Sequence, residues 1–243
     1  MNVDVKFLPS EITENESLAE KVCIVLDIFR ASSTITTALN NGCIAIKPVA
    51  EIATARTEKA QDGSILLAGE RQSIKIEGFD FGNSPLEFTA KQVQGRKLVM
   101  NTSNGTKAIL SCATAYRVLI GAFINAMSTI EHACSLQRDI TIVCAGTGGE
   151  FSIEDSLCAG YMVKLLNELT DCSLSDRAYA AMLMYAGAAN ELKAHAGRST
   201  NGARLYDIGL SADVEYCLNL NKLDTVCVYQ PSTEIIYKLD IIK

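Results

Sequence analysis

Apolar residues recur along this chain in short uninterrupted runs: VDVKFL, VCIVLDIF, CIAIKPV, SILLAG, KLVMNT, RVLIGA and ITIVCAG. Runs of this length, rich in Val and Ile and without a polar alternation, predict strands buried on both faces. Helical periodicity occupies residues 31 to 41, 50 to 61, 104 to 113 and 125 to 137. The resulting βαβα rhythm predicts an α/β fold, a mostly parallel sheet with helices on both faces, over at least residues 1 to 150. After Ile153 the texture changes to long helical stretches, LCAGYMVKLLNELT and SDRAYAAMLMYAGAANELKAHA, with one last strand at DTVCVYQP. No linker rich in Pro, Gly or Ser intervenes, so residues 1–243 are expected to form a single domain, helix-rich from about 153.

One segment breaks the rhythm. RQSIKIEGFDFGNSP, residues 71 to 85, reads as a long loop, and a long loop in a compact domain is usually functional. At its end, Ser84-Pro85-Leu86-Glu87 fits a capping box with Pro at the first helical position.

Polar residues collect where strands stop. The run ending at Leu26 leads to Asp27 and Arg30, then Ser32, Ser33 and Thr34 at a helix start. The run at 64 to 68 leads to Gly69, Glu70 and Arg71, that at 97 to 100 to NTSNGT, and that at 140 to 145 to GTGGEFSIED. In a parallel sheet these four ends lie on one edge, where open α/β sheets bind ligands. Arg30 and Arg71, with backbone amides after Ser103 and Gly146, suit a multiply charged anion. Asp27, Glu70, Glu154 and Asp155 are hard oxygen donors of the kind Mg²⁺ takes. Taken singly, each has a purely structural explanation: Asp27 with Arg30 as a local ion pair, Asp155 with Ser152 as a capping box, GTGG as a tight turn.

Composition narrows the class. A formal net charge of −6 without a Lys/Arg cluster gives no footprint for nucleic acid or an anionic membrane surface. There is no leader and no bilayer-length apolar stretch, so a cytoplasmic protein is expected. The nine cysteines fall mostly inside apolar elements, as Cys23, Cys43 and Cys144 do, which predicts reduced core thiols. No CxxC occurs, and His132 and His195 lack metal-spaced companions. Position 29, two after Asp27, is Phe rather than the second acid of an aspartyl-phosphate pattern, and no Cys precedes an Arg by six positions. NGTKA is not a Walker loop, and GTGGEF lacks the third glycine of a dinucleotide fingerprint. The simplest remaining chemistry is water attack on a phosphate ester held by Mg²⁺ and two arginines. A non-catalytic anion binder would have no use for the acids, and an isomerase or transferase would want a positioned base.

VLDIFRASSTITTAL, LAGERQSIKIEGFDFGNSP, NTSNGTKAI, CAGTGGEFSIEDSLCAG and GRSTNGARLYDIGLSADVEYC, in that order, resemble the 2-phosphosulfolactate phosphatase family through almost the whole chain. The resemblance implies a three-layer α/β/α fold with a largely parallel or mixed sheet in a family-specific topology. It also implies a Mg²⁺-dependent hydrolysis of 2-phospho-3-sulfolactate to 3-sulfolactate and phosphate, a step towards coenzyme M. Carried onto this chain, it makes Asp27, Glu70 and Asp155 catalytic candidates, and Asp27, Glu70, Glu154 and Asp155 candidate metal ligands. Arg30, Ser32, Ser33, Arg71, Thr102, Asn104, Gly105 and Thr106 become candidate substrate contacts, with Arg198, Ser199 and Arg204 closing over acidic groups. The expected partner is a small anionic phosphoester, and a homodimer is entertained as the assembly. The alternatives are a phosphatase of another phosphorylated 2-hydroxy acid and a non-catalytic anion-binding protein.

Overall fold

The computed structural model describes residues 1–240. Its strands are β1 (Asn2–Lys6), β2 (Val22–Leu26), β3 (Ala45–Pro48), β4 (Leu66–Arg71), β5 (Ile74–Lys75), β6 (Lys97–Asn101), β7 (Arg117–Gly121), β8 (Ile140–Cys144), β9 (Ser173–Leu174), β10 (Cys227–Gln230) and β11 (Ile235–Lys238). They form one mixed sheet in the order β5-β4-β6-β3-β11-β10-β7-β2-β8-β1-β9. The uninterrupted apolar runs follow from burial on both faces. Along β2, Val22, Ile24 and Leu26 enter one core while Cys23 and Val25 enter the other.

Helices α1 (Ala31–Asn40) and α4 (Gly105–Ser111) cover one face, where Ile35, Leu39 and Ile109 pack on Val25, Leu98, Met100 and Ile120. On the other face lie α5 (Ala126–Ser135), α6 (Ile153–Leu169) and α7 (Asp176–Ala188), whose Ile130, Met162 and Tyr185 share a core with Ile24, Leu119 and Ile142. Helix α2 (Ile52–Gln61) covers β4 and β6 through Ala55. Helices α8 (Leu192–Gly197), α9 (Thr200–Asp207) and α10 (Ser211–Cys217) join the α6 side through Ala196, Leu205 and Val214. The short α3 (Ala90–Val93) precedes β6.

The sheet is mixed and largely parallel, as expected, but its parallel strands fall into two blocks. β4, β6 and β3 run parallel to one another, as do β7, β2, β8, β1 and β9. The hairpin β10–β11 is inserted between these blocks, antiparallel to both. Three antiparallel steps separate β3 from β7, so the blocks run in opposite senses. The ends of β2 and β8 nevertheless meet those of β4 and β6. Five strand steps lie between β6 and β2, and at about 20–25° of twist per step the intervening sheet turns through more than a right angle.

Candidate active site

The ends of β2, β4, β6 and β8, together with α9, enclose a cleft of about 250 Å³ lined by Asp27, Phe29, Arg30, Glu70, Gln72, Ser73, Asn83, Ser103, Asn104, Thr147, Gly148, Asn201 and Arg204. Its walls form for local reasons. At the end of β2 the Asp27 amide donates to Ser32 Oγ at 2.7 Å, Asp27 Oδ1 accepts from the Ala31 amide at 3.2 Å, and Ser33 Oγ donates to the Ile28 carbonyl at 3.1 Å. The hydroxyls of Ser32 and Ser33 thus tie down the β2–α1 corner, and neither lines the cleft. Thr34 Oγ1 donates to the Asn83 carbonyl at 2.8 Å.

Glu70 bridges two loops. Its Oε1 accepts from the Ser103 amide at 2.9 Å and its Oε2 from the Ser73 amide at 2.8 Å. Gln72 and Ser73 carry φ of 52° and 68° at the tip of the β4–β5 hairpin, so the loop expected over residues 71 to 85 begins as a tight turn aimed at the cleft. Arg71 is exposed outside the cleft, its guanidinium turned back to the Glu70 carbonyl. The expected Ser84–Glu87 capping box does not form: Glu87 Oε2 accepts from the Gly82 amide, and Ser84 Oγ donates to Asp213.

In the loop after β6, Thr102 and Thr106 pair their hydroxyls at 3.2 Å, and Asn104 Oδ1 accepts from the Gly148 amide at 3.1 Å, which holds the glycine turn after β8. Gly105 leaves room for Asp27, since a Cβ there would lie 2.8 Å from Asp27 Oδ2. Asp155, in the first turn of α6, accepts from the Ile28 amide at 2.8 Å and the Gly146 amide at 3.1 Å and so braces the ends of β2 and β8. Ser152 caps α6 by accepting from the Asp155 amide, which is half of the expected box. Arg204 reaches the cleft from α9, whose N-cap Ser199 accepts from the Gly202 amide at 3.0 Å. Arg198 lies elsewhere, beside Lys193 and Tyr206 in a separate surface groove.

Arg30 is not paired with Asp27. Its guanidinium forms an ion pair with Asp213 of α10 and donates from Nη2 to the Ser73 carbonyl at 3.0 Å. Sequence reasoning passed over Asp213. It also passed over Asn201, whose Nδ2 donates to Thr147 Oγ1 at 2.9 Å across the cleft mouth.

Acid crowding dominates the electrostatics. Burial, with the charges of Glu70 and Glu154, pushes the Asp27 carboxyl up to about 7 against the opposing amides of Ala31 and Gly105. Burial raises Asp155 well above its ordinary value, reinforced by Glu154 and Asp27. Glu154 is raised by burial as well, and its Oε2 is buried with no hydrogen-bond partner. Among the described residues no group of three or more His, Cys, Asp or Glu side chains converges to hold a metal by itself. Mg²⁺ commonly takes one or two carboxylates and fills its remaining positions with water and phosphate oxygens. Of the four acids, Asp27 and Glu70 line the cleft, Glu154 and Asp155 do not, and Asp155 has both oxygens on backbone amides; Asp27 with the orphaned oxygen of Glu154 fits that mode.

Fold and cleft together define an α/β protein with a small, charged pocket at its strand ends. A family model described as 2-phosphosulpholactate phosphatase matches residues 7–232. A probable 2-phosphosulfolactate phosphatase of Clostridium novyi is 40% identical over 93% of this chain and 96% of its own length. Proteins of the same description from Clostridium tetani (40%, 95% of this chain and 98% of the relative) and Carboxydothermus hydrogenoformans (38%, 93% and 92%) are similar to it as well. The chain belongs to the 2-phosphosulfolactate phosphatase family and is a phosphoric monoester hydrolase. Among the described residues no helix is long and apolar enough to cross a membrane. All nine cysteines are free, and neither histidine lines the cleft.

Proposed function

We propose that this protein hydrolyses 2-phospho-3-sulfolactate to 3-sulfolactate and inorganic phosphate, with Mg²⁺ as cofactor, in a pathway of the coenzyme M type. The observation that carries this reading is the convergence of Arg30 and Arg204 with Asp27 and Glu70 in one small cleft. Two guanidinium groups facing one cleft suit an ester carrying several negative charges. Mg²⁺ would be held by Asp27 together with the unpartnered oxygen of Glu154, and when bound it would neutralise phosphate oxygens as a Lewis acid.

The remaining residues act directly. Arg30 and Arg204 bind the anionic groups of the ester, and Asn104, Asn201, Ser73 and Ser103 orient its carboxylate and sulfonate. Each Glu70 oxygen has spent one lone pair on a backbone amide and keeps another, so Glu70 takes the proton of the attacking water as the new P–O bond forms, and as the ester P–O bond breaks the departing sulfolactate oxygen takes a proton from solvent. Asp155, whose oxygens both face backbone amides, braces the site. Nine free thiols support a reducing, cytoplasmic setting.

The test is phosphate release from racemic 2-phospho-3-sulfolactate, phospholactate and phosphoglycerate, with Mg²⁺ and with EDTA. Mg²⁺-dependent release that is fastest on the sulfonate is expected. Release that favours another ester keeps the chemistry and discards this substrate, while no release from any of them leaves an anion-binding protein.

A further inference from the structure

We propose that Asp213, outside the cleft, is the positioning residue that sets the guanidinium of Arg30 for the substrate anion. Arg30 and Asp213 are 3% and 2% exposed, and Asp213 is not itself among the residues that line the cleft. The guanidinium is gripped from two sides: Nη1 donates to Asp213 Oδ2, and Nη2 donates to the Ser73 carbonyl at 3.0 Å. The carboxylate is fixed in turn, because Ser84 Oγ donates to Asp213 Oδ1 at 2.6 Å. Helix α10, the loop before α3 and the β4–β5 hairpin thereby converge on one side chain. The N–H groups not spent on these partners are the ones that can face the cleft.

A charge argument and a geometry argument make opposite forecasts here. Pairing with Asp213 cancels much of the Arg30 charge, so if charge alone held the anion, removing the carboxylate would tighten binding. If orientation matters, removing it frees a planar fork to rotate, and binding and turnover both weaken. The buried bond from Ser84, which holds the carboxylate oxygen that Arg30 does not use, favours orientation.

The proposal rests on the phosphatase reading, and its test keeps the two apart. Asp213→Asn, Arg30→Gln, the double variant and Ser84→Ala are compared for kcat, KM and inhibition by inorganic phosphate on whichever ester the wild type hydrolyses. Asp213→Asn is expected to lower kcat/KM about 10- to 100-fold, chiefly in kcat, and to weaken phosphate inhibition. In the Arg30→Gln background the same change should cost no more than about twofold, because its target is gone. An undiminished loss in that background, or tighter phosphate inhibition in Asp213→Asn, overturns the proposal. Should Asp213→Asn fail to fold, Ser84→Ala carries the test, with a loss of about 3- to 10-fold that must also vanish without Arg30. A crystal structure of whichever of these two variants folds supplies the readout that needs no turnover. A displaced Arg30 guanidinium supports the proposal and an unmoved one overturns it, whereas a wild type inactive on every ester overturns only the phosphatase reading.

Discussion

Gly105→Ala isolates how closely two helix starts are packed around the Asp27 carboxylate. Gly105 opens α4 with an ordinary negative φ, so alanine would improve helix propensity by up to about 1 kcal/mol if space allowed. Space does not allow it. The new Cβ would lie 2.7 Å from the Ala31 Cβ and 2.8 Å from Asp27 Oδ2. Ordinary contact begins near 3.4 Å, so the groups must part by roughly 0.6 Å. Ala31 sits in the first turn of α1 and cannot rotate away, which leaves α4 to shift or the Asp27 carboxylate to turn off its bond to the Ala31 amide. Overpacking of this kind costs about 1–3 kcal/mol, so after the propensity gain a net loss of up to about 2 kcal/mol is expected. For a domain of this size that lowers Tm by about 4–8 °C. Displacing Asp27 by more than half an ångström should lower kcat/KM by about 10- to 100-fold. Calorimetry and a phosphate-release assay read the two effects, with Gly63→Ala as the control because a Cβ there meets nothing within 4 Å. A Gly105→Ala enzyme with wild-type Tm and kcat/KM would refute the reasoning.

The raised acids set the pH dependence of stability. Asp27 is pushed from 3.8 to about 7, and Glu154 and Asp155 move the same way. Below about pH 4 these groups are protonated in the folded and unfolded chain alike; between about pH 4 and 7 the unfolded chain has released protons that the fold still retains, and stability falls by a few kcal/mol across that window. Calorimetry on metal-free protein should therefore give a lower Tm at pH 8 than at pH 5, with Mg²⁺ restoring more at pH 8; a Tm that climbs between these values without metal contradicts the assignment. Asp155→Asn leaves one acceptor for two buried amides, those of Ile28 and Gly146. It should cost about 1–3 kcal/mol in urea unfolding, and unchanged stability would show that Asp155 does not brace the strand ends.

The sequence carried the strands β1 to β4, β6 to β8 and β10 because burial on both faces writes itself as an unbroken apolar run. β5 and β9, two residues each, are too short to have a period. β11 was missed, and with it the reversal of sense between the two blocks, since pairing across the sheet is a long-range choice that no local pattern encodes. Asp27, Arg30, Glu70, Asn104 and Arg204 were legible from strand ends and motif matches, and the cleft collects all of them. Arg71 and Arg198 were legible as charges but not as directions, and both point elsewhere. Asp213 lay inside the quoted stretch GRSTNGARLYDIGLSADVEYC, yet an acid in the first turn of a short helix looks like ordinary dipole compensation. Its role depends on Arg30, 183 positions earlier.

The inserted hairpin also bears on how the molecule is assembled. β10 and β11 are the last strands of the described chain, yet they occupy the middle of the sheet. During synthesis the β4-β6-β3 and β7-β2-β8-β1 blocks can each form before residues 227–238 emerge, but β3 and β7 then present bare edges to one another and to neighbouring chains. The late hairpin closes both edges in one step and joins two half-sheets across which the cleft is built. Catalytic competence therefore waits on residues 227–238, and a nascent chain stalled before them would be a sticky, inactive intermediate.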